Sequence, residues 1–379
     1  MQYKIKKCSG CKACENICPM KCIKIDTTNK EYFIRKIDKE KCIKCKKCLN
    51  VCPMKKVKFQ DPIRAFIAWS RDRSIAKTSA SGGMAATIYN YCIDNNIGAV
   101  GVYFDDSYDL NYNLIESKED IQKAIGSKYV YSDMNDIYKR IEKNLKNEEA
   151  LVFIGLPCHV SGLKNYCDEK NISIDKLYTV DIVCHGVPMP YIFKQHLQKV
   201  CGNNYLQRKI KIYFRKKDNP FGLTITENGK EIYKKERFED EYMMAYQNGY
   251  YMESCYQCRY ATDRRCSDMT IMDCSAGPDV KIKERRLYDA SEVLINSSKG
   301  MDLFNKMKNY NMYVQNASVE NVIKQDPMLR HPTPRPKYYN LFKKLEKYFG
   351  LSVAVNSIYA IKMKVKYSKN KFFKLKNFK

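Results

Sequence analysis

No run of this chain approaches the 18 or so consecutive apolar residues that a membrane span requires. The nearest, residues 150–156 and 178–184, have the length of buried strands. No G-x-G-x-x-G follows a strand pattern; Gly98-Ala99-Val100-Gly101 is too short and lies inside one, which argues against a Rossmann nicotinamide site. The absence of G-x4-G-K-[ST] and of G-x-S-x-G disfavours nucleotide hydrolysis and serine-ester chemistry. Tryptophan occurs once, at Trp69, and no apolar leader precedes the first cysteine. Acidic residues are outnumbered, leaving a net charge of +26. The excess is lysine scattered through a chain rich in Asn, Ile and Tyr, without the ordered patch of a nucleic-acid binder, so no nucleic-acid partner is expected.

Cysteine, by contrast, is abundant. Cys8, Cys11, Cys14 and Cys18 before Pro19, then Cys42, Cys45, Cys48 and Cys52 before Pro53, spell C-x2-C-x2-C-x3-C-P twice. In this two-cluster ferredoxin pattern three closely spaced thiolates hold one 4Fe-4S cluster, and the fourth reaches across to the other. The expected ligand sets are Cys8, Cys11, Cys14 and Cys52, and Cys42, Cys45, Cys48 and Cys18. Paired zinc knuckles are the competing reading, but they need neither a third C-x2 step nor the proline. Thiolates kept for iron call for a reducing compartment, so a cytoplasmic location is expected.

Three regions are expected: an α+β ferredoxin-like module at 1–60, an α/β domain at 61–325 with a largely parallel or mixed sheet, and a basic helical tail at 326–379. Residues 54–78 read as a connector between the first two. Beyond it, helical patterns at 84–95, 135–145 and 190–200 alternate with strand patterns at 99–104, 151–155 and 177–183. Shorter strands around an Asn228-Gly229 turn fill 209–235, and a helix is expected over 239–248. Pro327, Pro332, Pro334 and Pro336 break regular structure before the final segment. From Lys362 onward lysines alternate with Met363, Val365, Tyr367, Phe372, Phe373, Leu375 and Phe378, a texture that suits an anionic membrane surface or an acidic partner as well as a solvated tail.

A second cysteine set sits at element ends. Cys158 follows a strand and turn, Cys184 ends a strand, and Cys255 and Cys258 form a lone C-x2-C pair. Together they suit a third 4Fe-4S cluster; the same set suits zinc, and each alone suits a buried apolar position.

Ser81-Gly82-Gly83, Gly126-Ser127-Lys128-Tyr129-Val130, Pro157-Cys158 with Ser161-Gly162-Leu163-Lys164, the stretch 180–190, Cys255-Tyr256-Gln257-Cys258 and Ser267-Asp268-Met269-Thr270 occur in order. Together with the N-terminal module they resemble the coenzyme F420 hydrogenase/dehydrogenase beta-subunit family, in its variant with a fused ferredoxin domain, over roughly residues 1–310. The resemblance implies an FAD-dependent iron-sulfur oxidoreductase that exchanges hydride with coenzyme F420 or a similar acceptor. It also implies a redox partner, either a ferredoxin or a hydrogenase/dehydrogenase subunit. It makes Cys158, Cys184, Cys255 and Cys258 third-cluster ligands, with Cys266 the rival for one place. The turn holding Ser79, Ser81, Gly82 and Gly83 precedes a helical pattern, where backbone N–H groups and the helix dipole suit the FAD pyrophosphate, although a plain helix cap looks similar. Ser127 and Lys128 would then stand beside the phosphates or the flavin ring.

The chain departs from the family pattern where Leu156-Pro157-Cys158-His159 replaces Thr-Pro-Cys-Gln, and where Asp273-Cys274-Ser275-Ala276-Gly277 replaces an Asp-Phe-Trp-Gly run. The second change removes aromatic stacking surface. His159 and His185 are candidates for proton shuttles or for loop-orienting hydrogen bonds. The alternative to the enzyme is a non-catalytic electron-transfer subunit docking on a partner oxidoreductase.

Overall fold

The computed structural model describes residues 2–4, 8–27, 33–274 and 290–376, with side chains described in 8–27, 33–274 and 290–362. In the N-terminal module β1 (Gln2–Lys4), β2 (Ile23–Asp26) and β3 (Ile34–Ile37) form an antiparallel sheet with β3 central. The two cysteine motifs fold alike. Lys12 and Lys46, each two residues before the third cysteine, are left-handed (φ 55° and 64°) and turn the chain into short helices α1 (Ala13–Asn16) and α2 (Lys47–Asn50).

Among the described residues the body is built on one nine-stranded sheet and a separate three-stranded one. β4 (Arg64–Ser70), β5 (Gly98–Phe104), β6 (Leu110–Leu114), β7 (Ser132–Asp133), β8 (Leu151–Gly155) and β9 (Leu177–Ile182) come first. A separate antiparallel sheet of β10 (Ile210–Tyr213), β11 (Leu223–Glu227) and β12 (Lys230–Lys235) follows, before β13 (Met269–Asp273), β14 (Ser291–Ile295) and β15 (Met312–Ala317) complete the large sheet. Its spatial order is β15-β4-β14-β13-β9-β8-β5-β6-β7. The run β13-β9-β8-β5 and the pair β6-β7 are parallel, and the remaining neighbours are antiparallel, so the sheet is mixed. Every residue of β8 and β14 is buried, as strands covered on both faces require.

Parallel neighbours need crossovers, and helices supply them. In chain order α3 (Arg73–Thr78), α4 (Met84–Asp94), α5 (Lys118–Ala124), α6 (Ile137–Lys146), α7 (Pro157–Glu169) and α8 (Pro190–Cys201) lie between the strands, followed by α9 (Glu241–Gln247), α10 (Ser298–Asn311), α11 (Val319–Gln325) and α12 (Tyr339–Lys376). Side-chain caps start several of them: Asp72 accepts from Ser74 N at 2.7 Å, Asp240 from Met243 N at 2.7 Å, and Ser297 from Gly300 N at 3.1 Å. The Asn228-Gly229 turn has φ positive at both residues, as a tight two-residue hairpin loop demands. The start of α12 folds back onto α9: Phe342 stacks on Tyr250 at 3.7 Å, and Leu351, Ala354, Val355 and Ile358 are buried in the same core as Tyr242 and Met243. Side chains beyond residue 362, which carry most of the basic tail, lie outside the described residues.

Two sequence expectations need correction. Residues 64–70 are no connector; they form β4, deep in the sheet between β14 and β15. Both partners come more than two hundred residues later in the chain, so nothing local marks the segment as a strand. Cys158, read from the sequence as a loop cysteine at an element end, sits in the first turn of α7, where Pro157 occupies the N1 position, at which a missing N–H costs nothing.

The turn before α4 is held by the sheet. Ser70 N donates to Gly82 O at 2.8 Å, Gly82 N donates to Ser291 Oγ at 3.1 Å, and Ser81 Oγ lies 3.1 Å from the same hydroxyl. A Cβ on Gly82 would stand 2.5 Å from Ala68 O and 2.6 Å from Ser291 N, so the glycine is required by backbone packing between β4 and β14. Gly82→Ala is expected to destabilise the protein by about 1–3 kcal/mol through overpacking. A denaturant midpoint equal to that of the parent would show that the sheet does not depend on this approach.

Candidate functional site

Cys158, Cys184, Cys255 and Cys258 line one cleft of about 700 Å³. Cys158 enters from the N-terminus of α7, where the helix dipole favours a thiolate. Cys184 follows β9, and the C-x2-C pair rides a single 3-10 turn, Glu253–Gln257, anchored where Met252 N donates to Val187 O at 2.8 Å. Desolvation pushes all four thiols up, Cys184 to about 12, and their mutual repulsion adds to the effect: Cys158 feels Cys258, Cys184 and Cys255, and Cys255 feels Cys184 and Cys258. Four thiolates in a buried pocket are stable only against a bound cation, and a metal inverts this balance by displacing the protons. Among the described residues no three His, Cys, Asp or Glu side chains close on one point as a single-ion site needs. A cubane takes each thiolate on a different iron, and four cysteines that line one cleft suit its chemistry. Cys266, the rival ligand, faces elsewhere: its thiol donates to Pro157 O at 3.3 Å and lines a separate pocket with Lys164 and Asn165.

The proline-rich segment after α11 roofs this cleft. Met328, Pro332 and Thr333 line it, and Thr333 Oγ1 donates to His185 O at 2.6 Å. Arg335 pairs with Glu253 and lies over the rings of Tyr256 and Tyr339, 5.3 and 5.0 Å from their centroids. Of the prolines that break regular structure, Pro332 thus lies against the cleft. Of the two histidines, His185 is exposed. His159 is fully buried, with Nδ1 3.0 Å from Tyr112 Oη, and burial pushes it down to about 3. It is neutral near pH 7, and its Tyr112 partner also accepts from Leu156 N at 3.1 Å.

The same cleft is walled by Ser9 and Met54 of the ferredoxin module. Four buried side chains of the body grip that module by backbone carbonyls beside its cysteines. Tyr131 Oη donates to Gly10 O at 2.6 Å, Tyr138 Oη to Cys11 O at 2.7 Å, and Tyr260 Oη to Pro53 O at 2.7 Å. Asn165 Nδ2 reaches Lys56 O at 2.8 Å and Val51 O at 3.4 Å. Gly162 of α7 leaves room for Cys11: a Cβ there would be 3.2 Å from the sulfur. Sequence reasoning missed these contacts because tyrosines and an asparagine scattered from 131 to 260 carry no local motif.

Within the module, Cys52 acts electrostatically on Cys8, Cys11 and Cys14, while Cys18, Cys42 and Cys45 act on Cys48. Each group contains the distant fourth cysteine expected of the crossed pattern. In the first group Cys11 is buried and Cys8, Cys14 and Cys52 are half-buried, and desolvation pushes Cys8, Cys11 and Cys14 up to about 12. The second lies outward. Cys45 is exposed, and Ile43 is 61% exposed among exposed Lys39, Lys41, Lys44, Lys46 and Lys47. Cys22, not singled out from the sequence, packs its sulfur 3.4 Å from that of Cys18.

Two of the residues assigned to FAD have their donors engaged within the protein. The Gly82 N–H is spent on Ser291, and the tight space at this glycine is filled by the protein's own sheet. Lys128 Nζ donates to Ala124 O, Ile125 O and Gly126 O at 2.8, 3.0 and 3.3 Å, using all three of its donors at the C-terminal end of α5. Ser127 adjoins it in the same loop. What the turn does retain is the Ser79 hydroxyl, buried without a hydrogen-bond partner near Gly83 at the head of α4. Asp273 pairs with Arg215 and Cys274 is buried, whereas Ser275, Ala276 and Gly277 lie outside the described residues. The Ser267–Thr270 motif is structural: Asp268 accepts from Thr179 N and Oγ1 at 2.9 and 2.6 Å and from Ser297 Oγ at 2.8 Å, tying β9 to the start of α10.

Among the described residues no helix is long and apolar enough to cross a membrane. A comparison with curated proteins finds no match. Among solved structures, a chain of the F420-reducing nickel-iron hydrogenase complex from Methanosarcina barkeri is similar, with a TM-score of 0.47 and 15% identity over 79% of this chain and 92% of that one. Residues 7–56 match the 4Fe-4S dicluster domain. Residues 65–139 match the N-terminal part, and 148–320 the C-terminal part, of the coenzyme F420 hydrogenase/dehydrogenase beta subunit. The two matches together take in well over half of the chain, and the protein belongs to the coenzyme F420 hydrogenase/dehydrogenase beta-subunit family, an oxidoreductase family, in a form that carries its own 4Fe-4S dicluster domain.

Proposed function

We propose that this chain is an electron-transfer oxidoreductase holding three 4Fe-4S clusters in a row, from an exposed rim to an enclosed cleft. The observation that carries the reading is that one cleft is lined both by Cys158, Cys184, Cys255 and Cys258 and by Ser9 and Met54 of the dicluster domain. Bound clusters would supply one-electron chemistry at each set of thiolates. Cys42, Cys45, Cys48 and Cys18 would hold the outermost, and Cys8, Cys11, Cys14 and Cys52 the middle one. Cys11 packs on α7, the helix that carries Cys158. The lysine rim around Ile43 and Cys45 suits an acidic one-electron carrier protein or partner subunit, because opposite charge steers encounter. The roof from Met328 to Arg335 excludes water from the innermost thiolates. From composition alone, a second contact is proposed for the tail from Lys362, where eight lysines and no acidic residue suit an anionic membrane surface or an acidic partner.

A second reading keeps the two-electron chemistry within this chain: FAD-dependent hydride exchange with coenzyme F420 or a similar acceptor. Family membership and the partnerless Ser79 hydroxyl favour it. Gly82 and Lys128 do not. An electron-transfer subunit delivering to a partner is therefore the reading that the described residues support best.

Anaerobically reconstituted protein is expected to hold about twelve irons per chain. Cys258→Ser should lower this to about eight, and Cys266→Ser should leave it unchanged. Equal loss in both variants, or stoichiometric zinc, would overturn the third-cluster assignment. Flavin assayed in the same preparation decides between the readings, stoichiometric FAD supporting hydride exchange and none supporting the electron-transfer subunit. The triple substitution Lys44→Glu, Lys46→Glu and Lys47→Glu should slow reduction by an acidic carrier protein at low salt. The effect should fade as salt screens the contact; a slowing independent of salt would place the docking face elsewhere.

A further inference from the structure

One wall of the four-cysteine cleft is a charged side chain that the cysteine chemistry does not account for. Arg265 lines the cleft with only 2% of its side chain exposed, and it forms an ion pair with the fully buried Asp181 at 3.0 Å. Isolated buried ion pairs seldom repay their desolvation, so one set beside a redox centre calls for a reason. The guanidinium is fixed in place: Nε donates to Thr270 Oγ1 at 3.2 Å, and Nη1 to Tyr260 O at 3.0 Å and Thr262 O at 3.2 Å. Its backbone is pinned to the linker from the dicluster domain by paired 2.9 Å bonds with Gln60. Nη2 is buried and makes no hydrogen bond, despite its charge contact with Asp181.

The two partners are placed differently. Arg265 lines the cleft together with Cys158, Cys184, Cys255 and Cys258, whereas Asp181, its counter-anion, is not among the lining residues.

We propose that Arg265 is a fixed cation that raises the reduction potential of the cluster held by Cys158, Cys184, Cys255 and Cys258, with Asp181 orienting it. This rests on the third-cluster reading above. The physical basis is charge: a cluster with four thiolates gains negative charge on reduction, and a positive group held in a low-dielectric wall stabilises the reduced form more than the oxidised one. Arg265 would make that innermost site a favourable destination for electrons arriving past Cys11. It is a positioning residue for charge and touches no substrate.

The test is a redox titration of the full, cluster-replete chain, following the electron paramagnetic resonance signal that Cys258→Ser abolishes. Arg265→Gln should keep its iron and shift the one-electron reduction equilibrium of that signal about tenfold toward the oxidised form, about 59 mV to more negative potential. Arg265→Lys, which keeps the charge, should recover most of the shift. Asp181→Asn should not move the potential downward. Should Arg265→Gln lose its cluster by leaving Asp181 buried and unpaired, the double variant Arg265→Gln with Asp181→Asn carries no orphaned charge, and its negative shift is the one expected. A parent-like potential in the cluster-replete single or double variant overturns the proposal. So does cluster loss in the double and lysine variants together, which marks Arg265 as purely structural. Absence of the signal from the parent protein instead sinks the third-cluster reading itself.

Discussion

Five hydrogen bonds from four buried side chains to main-chain carbonyls hold the dicluster domain against the body. Tyr131, Tyr138, Tyr260 and Asn165 each take a carbonyl within the cysteine-bearing loops. A neutral hydrogen bond contributes only about 0.5–1.5 kcal/mol net, but a buried acceptor left unpaired costs about 1–3 kcal/mol, so the set selects geometry more strongly than it adds stability. Because the gripped carbonyls flank Cys11 and Cys52, the cluster-binding loops themselves, and not merely the domain that carries them, are fixed against the body. Gly162 completes the contact by giving up its side chain where Cys11 arrives.

The cleft beyond that contact shows a second constraint, the desolvation of four thiols that the proposed third cluster requires to ionise. Desolvation raises all four, and the protein offsets this with the N-terminus of α7 at Cys158 and with Arg265 near Cys184 and Cys258. The segment held by Thr333 and Arg335 covers part of the site. A low dielectric makes each fixed charge more effective there than it would be at the surface. The opposite arrangement holds at the outer cysteines, where Cys45 and Ile43 are exposed among lysines, a setting suited to contact with another protein rather than to enclosure.

The strands and helices expected between 84 and 200 were legible because each is marked by its own periodicity, but β6, β7, α5 and α7 were not among them. β4 was not legible either, since a short apolar segment takes its meaning from strands that arrive much later. The Ser-Gly-Gly turn shows a different limit. Small residues ahead of a helix are needed when a ligand approaches the backbone and equally when the protein's own backbone does. Here Ala68 and Ser291 occupy the space at Gly82. Lys128 is similar: a cation in a loop reads as a phosphate contact until the carbonyls ending α5 are seen to use its donors.

By itself the sequence determined the chemistry of the dicluster domain, since C-x2-C-x2-C-x3-C-P leaves local spacing little freedom and the crossing of the fourth cysteine follows from it. It also determined the family, through several motifs in a constant order. Only the tertiary structure decided which later cysteines share a cleft, because Cys158, Cys184, Cys255 and Cys258 sit on a helix, a strand end and a 3-10 turn whose convergence depends on sheet order. The exclusion of Cys266 and the placement of Arg265 were decided in the same way. Both lie on one short segment, and the direction in which each side chain points is set by β13 pairing with β9, a parallel contact that no local pattern encodes.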